Sequence, residues 1–340
     1  MVEKLIEFSA REKYLVLLFI AAIVAFGIWT LYNQPVDAIP DLSDTQVIVY
    51  SKWDRSPDIM EDQVTYPITT ALLGAPSVKA IRGYSDFGFS YVYIIFEDGT
   101  DIYWARSRVL EYLSKVLSSL PEGVKTEIGP DATGVGWVYQ YALVDESGSH
   151  TLADLRSFQD WNLRYALQSV QGVAEIATIG GFQNQYQITV DRERLVAYHI
   201  PLMMVSEAVR NSNVEVGARL IEFSGAEYMV RGHGYIKSLE DIEQIVVKTN
   251  ERGTPVLLRD IARVERGPEM RRGVADLDGI GDTVGGIVVM RHSENADKVI
   301  RRVKEKLQEL QPSLPKGVKV VTTYDRSERS RHRSATSKKN

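Results

Sequence analysis

Met270 lies in Arg266–Gly273, RGPEMRRG, a polar loop with arginines on either side. Methionine ordinarily fills gaps in a core, so a thioether in such a loop is unusual. Its soft sulfur suits Cu(I) or Ag(I); the plain alternative is packing. Met203 and Met204 precede a predicted helix and read as packing. Asp37, Asp41 and Asp44 cluster in NQPVDAIPDLSDTQVIV, with Pro35 just before them and Pro40 between the first two. Carboxylates at that density can hold a hard cation, but solvating a stiff turn and setting membrane orientation is the better explanation. Arg82 stands at the end of a strand predicted over Val78–Arg82, and a salt bridge is its default role. The histidines, at 150, 199, 233, 292 and 332, show no metal-ligand spacing. There is no cysteine, which excludes disulfides, thiolate zinc sites and a cysteine nucleophile. The glycines of Thr133–Trp137 and Gly279–Gly286 do not follow dinucleotide-binding spacing. No nucleophile, base and oxyanion donors form a defensible set, so an anchored hydrolase is remote and no enzyme is expected.

Charge narrows the partners. The chain carries −5 overall, and its last twelve residues, RSRHRSATSKKN, contain five Lys or Arg and no acid. The rest is more acidic still, a poor general binder of nucleic acid.

Tyr14–Tyr32, YLVLLFIAAIVAFGIWTLY, contains no charge. At about 1.5 Å per residue it nearly crosses a hydrocarbon layer of about 30 Å. The run is too long for a signal-peptide core and lacks a small-residue cleavage site. It reads as one uncleaved transmembrane helix, the alternative being a buried core helix. Tyr14, Trp29 and Tyr32 mark its ends, and Val2–Ala10 is mildly amphipathic. Lys4, Arg11 and Lys13 precede it and only acids follow until Lys52. That bias predicts a cytoplasmic N-terminus and an external body.

The body repeats one unit. Strands are predicted at Asp44–Tyr50, Val78–Arg82, Phe89–Phe96 and Lys125–Ile128. Helices fall at Pro57–Leu73 (apolar Ile59, Val64, Ile68, Ala71 and Leu72) and Asp101–Leu120. This is β-α-β-β-α-β order, a split βαβ or ferredoxin-like unit. A second copy begins with a strand at Val138–Val144 and a helix from the cap Thr151 to Val170, with Asp154 at the capping-box position. Strands at Val173–Ile179 and Thr283–Met290 and a helix at Ala296–Leu310 complete it. The two copies end alike, in LPEGVK (Leu120–Lys125) and LPKGVK (Leu314–Lys319). The second holds an insertion over about Phe182–Glu269. Within it Val216–Phe223 and Glu227–Val230 flank Ser224–Gly225 as a long hairpin.

Several stretches together resemble the heavy-metal efflux branch of the resistance–nodulation–division (RND) permeases, nearest its Cus-type Cu(I)/Ag(I) exporters. They are PVDAIPDLSDTQV, QVTYPITTALL, YVYIIFEDGTDIYWARSRVLEYL, GPDATGVGWVYQYALVD, AEYMVRGHGY and GPEMRRGVADLDG. GPDATGVGW is the most specific. The resemblance implies an α+β protein with one N-terminal transmembrane helix and two ferredoxin-like porter subdomains, the second interrupted by a docking subdomain. The corresponding bounds are 1–32 for the cytoplasmic N-terminus and membrane helix and 33–134 for the first porter subdomain. The second porter subdomain takes 135–181 and 270–328, the docking insertion 182–269, and a basic tail outside the family pattern 329–340. It implies a proton-driven metal exporter of the bacterial inner membrane, with no cofactor and with Cu(I) or Ag(I) as cargo. The implied partners are two further copies in a trimer, a periplasmic adaptor, an outer-membrane channel and the lipid bilayer. The hairpin would reach the neighbouring protomer. Met270 matches a methionine lining the periplasmic cleft and Arg82 a charged residue at the cleft floor.

After Tyr324–Glu328 the family continues into a second transmembrane helix. The basic tail here predicts a frame change near Glu328. The principal methionines and proton-carrying carboxylates of the family lie in that later part, so no export is expected of this chain alone. The alternative function is a membrane-tethered periplasmic module that docks adaptors or interferes with intact trimers.

Overall fold

The computed structural model describes residues 10–33, 41–214, 216–232, 234–250, 253–271 and 273–327. Lys4, Pro35, Asp37, Pro40, His233, His332 and the basic tail lie outside the described residues.

The uncharged run forms helix α1, Lys13–Asn33. Residues 13–30 have a mean hydropathy of 2.1 and none of that window is buried. A helix that is apolar all round belongs in a core or a bilayer. Among the described residues nothing covers Leu17, Phe19, Ile23 or Phe26, so the described structure does not bury this helix in a core. The helix is long and apolar enough to cross a membrane.

The first repeat starts with β1, Gln46–Lys52, which alternates so that Val47, Val49 and Ser51 are buried. Helix α2 follows as Pro57–Met60, a π turn Glu61–Thr65, and Tyr66–Leu72. Its fully buried residues are Met60, Val64, Ile68 and Leu72. A spacing of four overshoots the 3.6-residue period, and the π turn absorbs the drift. That re-phasing puts Met60 inside and leaves the expected Ile59 exposed. Strands β2, Val78–Asp86, and β3, Phe89–Phe96, form a hairpin paired as far as Asp86↔Phe89. The strand predicted to stop at Arg82 therefore runs on, and Arg82 is mid-strand. Helix α3, Ile102–Leu117, is capped by Asp101, whose carboxylate accepts from Trp104 N at 2.8 Å. With β4, Lys125–Ile128, the sheet order is β2-β3-β1-β4. Burying side chains such as Ile68, Ile94 and Val109 beneath α2 and α3 stabilises this layer by about 1.5–3 kcal/mol each.

The second repeat has β5, Trp137–Asp145, and helix α4, built as Leu152–Phe158, a π turn Gln159–Leu163, and Arg164–Gln168. The predicted capping box between Thr151 and Asp154 is present in both directions. Strand β6 is Val173–Gly180. After the insertion come β13, Val284–Met290, a helix Ala296–Leu310 and β14, Val318–Asp325. The order β14-β5-β13-β6, read in chain sequence, is the order of the first sheet.

Inside the insertion β7, Asn184–Val190, pairs with β12, Ala262–Pro268. Between them lie helices α5, Arg192–Ala197, and α6, Leu202–Ser212, then the hairpin β8–β9, Val216–Phe223 with Ala226–Gly232. The hairpin turns at Ser224 and Gly225, both at positive φ, 54° and 74°, as a two-residue primed turn requires. Helix α7, Leu239–Glu243, the pair β10–β11, Val246–Thr249 with Pro255–Leu257, and α8, Leu258–Ile261, complete it. Ile200, Val205, Ile242, Leu258 and Ile261 form its own core. The helix Ala296–Leu310 is α9.

The chain divides into two compact units. One comprises Met1–Val144, Leu163–Thr178 and Gly285–Asn340; the other comprises Asp145–Asn162 and Ile179–Val284.

Candidate functional site

Met270 belongs to the second unit, just past β12. The β7–β12 ladder runs to Asn184↔Pro268, and Glu269 N then donates to Gln183 O at 2.8 Å. Gly267 leaves room beside this exit for Gln187, whose Oε1 would lie 2.2 Å from a Cβ there and would have to swing aside. Gln187 Nε2 donates to Pro268 O at 3.0 Å. Beyond Met270, Arg271 Nη1 donates to Asp282 Oδ2 at 2.7 Å. That bond holds the Asp282 carboxyl below its usual range and raises Arg271. The stretch between them folds back through an Asp276↔Asp282 bridge and Thr283 N donating to Ala275 O at 2.8 Å. Met270 thus stands at the foot of a pinned loop, with 68% of its surface exposed. Packing does not account for it. A single thioether offers one soft donor, suited to a monovalent d10 cation.

Met203 departs from its expectation too. It and Met204 lie in the first turn of α6 rather than before it. Met204 packs against the insertion core, whereas Met203 is exposed.

Arg82 belongs to the first unit. It lies opposite Tyr93 in the β2–β3 ladder and is exposed. Among the described residues it makes no ion pair, so the salt-bridge expectation is not met. Val47 and Val49 face the helices, so the alternating positions of β1 to β3 present the sheet's other face. That face carries Arg82, Tyr84, Tyr91 and Tyr93. Tyr84 and Tyr91 have ring centroids 6.4 Å apart, and Phe89 stacks on Tyr91 at 6.1 Å. Among the described residues Arg82 is an unpaired cation on an aromatic sheet face.

Of the three clustered aspartates, the two among the described residues have partners. Asp41 accepts from Thr133 Oγ1 at 2.6 Å and from Ser43 N at 3.0 Å. Asp44 pairs with Lys79 at 3.5 Å. Among the described residues no three His, Cys, Asp or Glu side chains gather as a metal site. Sequence reasoning missed the Asp41–Thr133 bond, which joins positions far apart in the chain. Its only signal was that both lie in motifs carrying the resemblance.

Comparison with known proteins extends this picture. The profile of the AcrB/AcrD/AcrF family matches residues 5–339. The chain is 54% identical over 329 residues to the cation efflux system protein CusA of Escherichia coli K12, covering 96% of this chain and 31% of that protein. The putative cation efflux system protein SilA of Salmonella typhimurium is equally similar, 54% over the same coverage. The cobalt-zinc-cadmium resistance protein CzcA of Cupriavidus metallidurans is 40% identical over 348 residues, covering all of this chain and 32% of the relative. A crystal structure of a heavy metal efflux pump superposes with a TM-score of 0.86 at 30% identity, over 95% of this chain and 32% of that one. The chain spans about a third of the length of these relatives.

Proposed function

The chain belongs to the AcrB/AcrD/AcrF family, and from that premise we propose that it is the N-terminal part of a proton-driven permease exporting Cu(I) and Ag(I). The observation that carries this is 54% identity sustained over 96% of the chain to relatives named as cation efflux proteins. In this reading α1 anchors the body in the bacterial inner membrane. Arg11 and Lys13 on one flank and Asp41 and Asp44 on the other put the N-terminus in the cytoplasm and the body in the periplasm. The two repeats, with matching strand order, are ferredoxin-like porter subdomains. The insertion is a docking subdomain whose β8–β9 hairpin reaches a neighbouring copy in a trimer. A periplasmic adaptor and an outer-membrane channel complete the route.

Met270 supplies one soft donor to the metal in passage and Arg82 lines the cleft. Alternating access then moves the cargo, with no covalent chemistry on the protein. The chain by itself carries no export and no enzymatic activity in this proposal. Nothing observed favours a separate role as a tethered assembly module.

The test is a graft. Residues 10–327 replace the matching segment of CusA in a copper- and silver-sensitive host that lacks the pump. Restored silver tolerance is expected. A graft that reaches the membrane in normal amount and restores none overturns the proposal.

A further inference from the structure

The loop 131–136, inside GPDATGVGW, joins the two repeats, and it is held at more points than a tether needs. Thr133 Oγ1 donates to Asp41 Oδ2 at 2.6 Å, and Asp41 is the first described residue after α1. Tyr103 OH, on α3 of the first repeat, donates to Asp131 Oδ2 at 3.2 Å. Arg291 Nη1, just past β13 of the second repeat, lies 3.6 Å from that same oxygen. His292 N donates to Asp131 O at 2.9 Å and Met290 N to Gly136 O at 2.7 Å. Arg326, just past β14 and 1% exposed, donates to Val135 O at 2.5 Å. The loop has no slack: a Cβ on Gly136 would sit 3.0 Å from Thr133 O and 3.1 Å from Met290 O.

The chain's entry from α1, a helix of the first repeat, and two strand ends of the second are therefore bonded to one six-residue segment. A loop bonded through four of its carbonyls and through both of its polar side chains moves with its partners rather than between them. We propose that loop 131–136 is a junction that delivers displacement of the membrane helix to both repeats together, with Asp131 and Thr133 as positioning residues. The proposal rests on the reading of α1 as a membrane span.

The test uses the whole chain in vesicles of short-chain (dimyristoyl) or long-chain (dierucoyl) phosphatidylcholine. A span answers a change in bilayer thickness by tilting. Amide exchange is read at Met290 and His292, whose N–H groups are bonded to the loop, with Ile94 and Val205 as distant controls. In the native chain the two loop-bonded amides are expected to differ about threefold between the bilayers, with the controls unchanged. Thr133→Val, which removes the bond to Asp41, abolishes that difference. Asp41→Ala removes the same bond from the other side and serves if the first variant misfolds. Equal exchange in both bilayers by a native chain that resists alkaline carbonate extraction overturns the junction alone. So does a thickness response that survives Thr133→Val. A chain washed off by carbonate overturns the span, and the junction with it.

Discussion

Met270 is exposed where a methionine has no packing role, and the residues around it are fixed by Gly267, Gln187 and the Arg271–Asp282 bond. Met270→Leu keeps the volume and removes the soft donor. A volume-conserving swap at an exposed position costs well under about 1.5 kcal/mol. The graft bearing it should keep its thermal midpoint and lose silver tolerance; unchanged tolerance would count against Met270 as a ligand. Asp41 makes a pH prediction. Burial raises its pKa, but the bonds from Thr133 and Ser43 outweigh that and leave it below its ordinary 3.8. A depressed folded value means the stabilisation is complete above pH 3.8 and is lost as pH falls through the folded pKa. Asp41→Asn should therefore lower the melting temperature near neutral pH and flatten its fall below about pH 4. Parallel melting curves for the two proteins across that range would refute it. The methionine and the aspartate were visible in the sequence as odd residues in odd places. Their partners were not, because Asp41–Thr133 closes over a separation that no local pattern records.

At the scale of elements, packing rather than propensity set the boundaries that sequence reading missed. Gly83, Tyr84 and Ser85 lack the β-branched character that marked the start of β2, so the strand was expected to end at Arg82. It continues because β3 pairs with it to Asp86 and because Gly83 lets α2 come close. A Cβ there would lie 2.7 Å from Thr65 Cγ2. Thr65 cannot easily turn away, since its hydroxyl lies 2.8 Å from Ser85 Oγ and 2.7 Å from Ser90 Oγ. Gly83→Ala should destabilise by about 1–3 kcal/mol. Adding Thr65→Ser, which deletes that methyl and keeps the hydroxyl, should recover most of it; thermal melts of the single and double variants decide. The π turns in α2 and α4 fall at corresponding points of the two copies. Helical periodicity is judged against one period, so a local change of period escapes it.

At the scale of the molecule, α1 is covered by nothing among the described residues. An arginine at the centre of such a helix costs about 2.5–3.5 kcal/mol of membrane insertion. Ile23→Arg should therefore move most of the protein into the carbonate-extractable fraction. Retention equal to the native chain would exclude a span. The body shows two repeats with the same strand order and a core of its own for the insertion. This organisation was legible because hydrophobic alternation, helix caps and the paired LPEGVK and LPKGVK endings are local signals that recur.

The sequence by itself determined the apolar helix, the element order, the duplication and the family, because each rests on neighbours in the chain or on motifs carried whole. Only the tertiary structure decided that Arg82 finds no ion-pair partner among the described residues and lies on an aromatic sheet face, and that Met270 stands clear of the core. It alone revealed the loop between the repeats as a meeting point of four elements. Those facts depend on which distant groups are brought within hydrogen-bond reach, and folding, not adjacency, sets that distance.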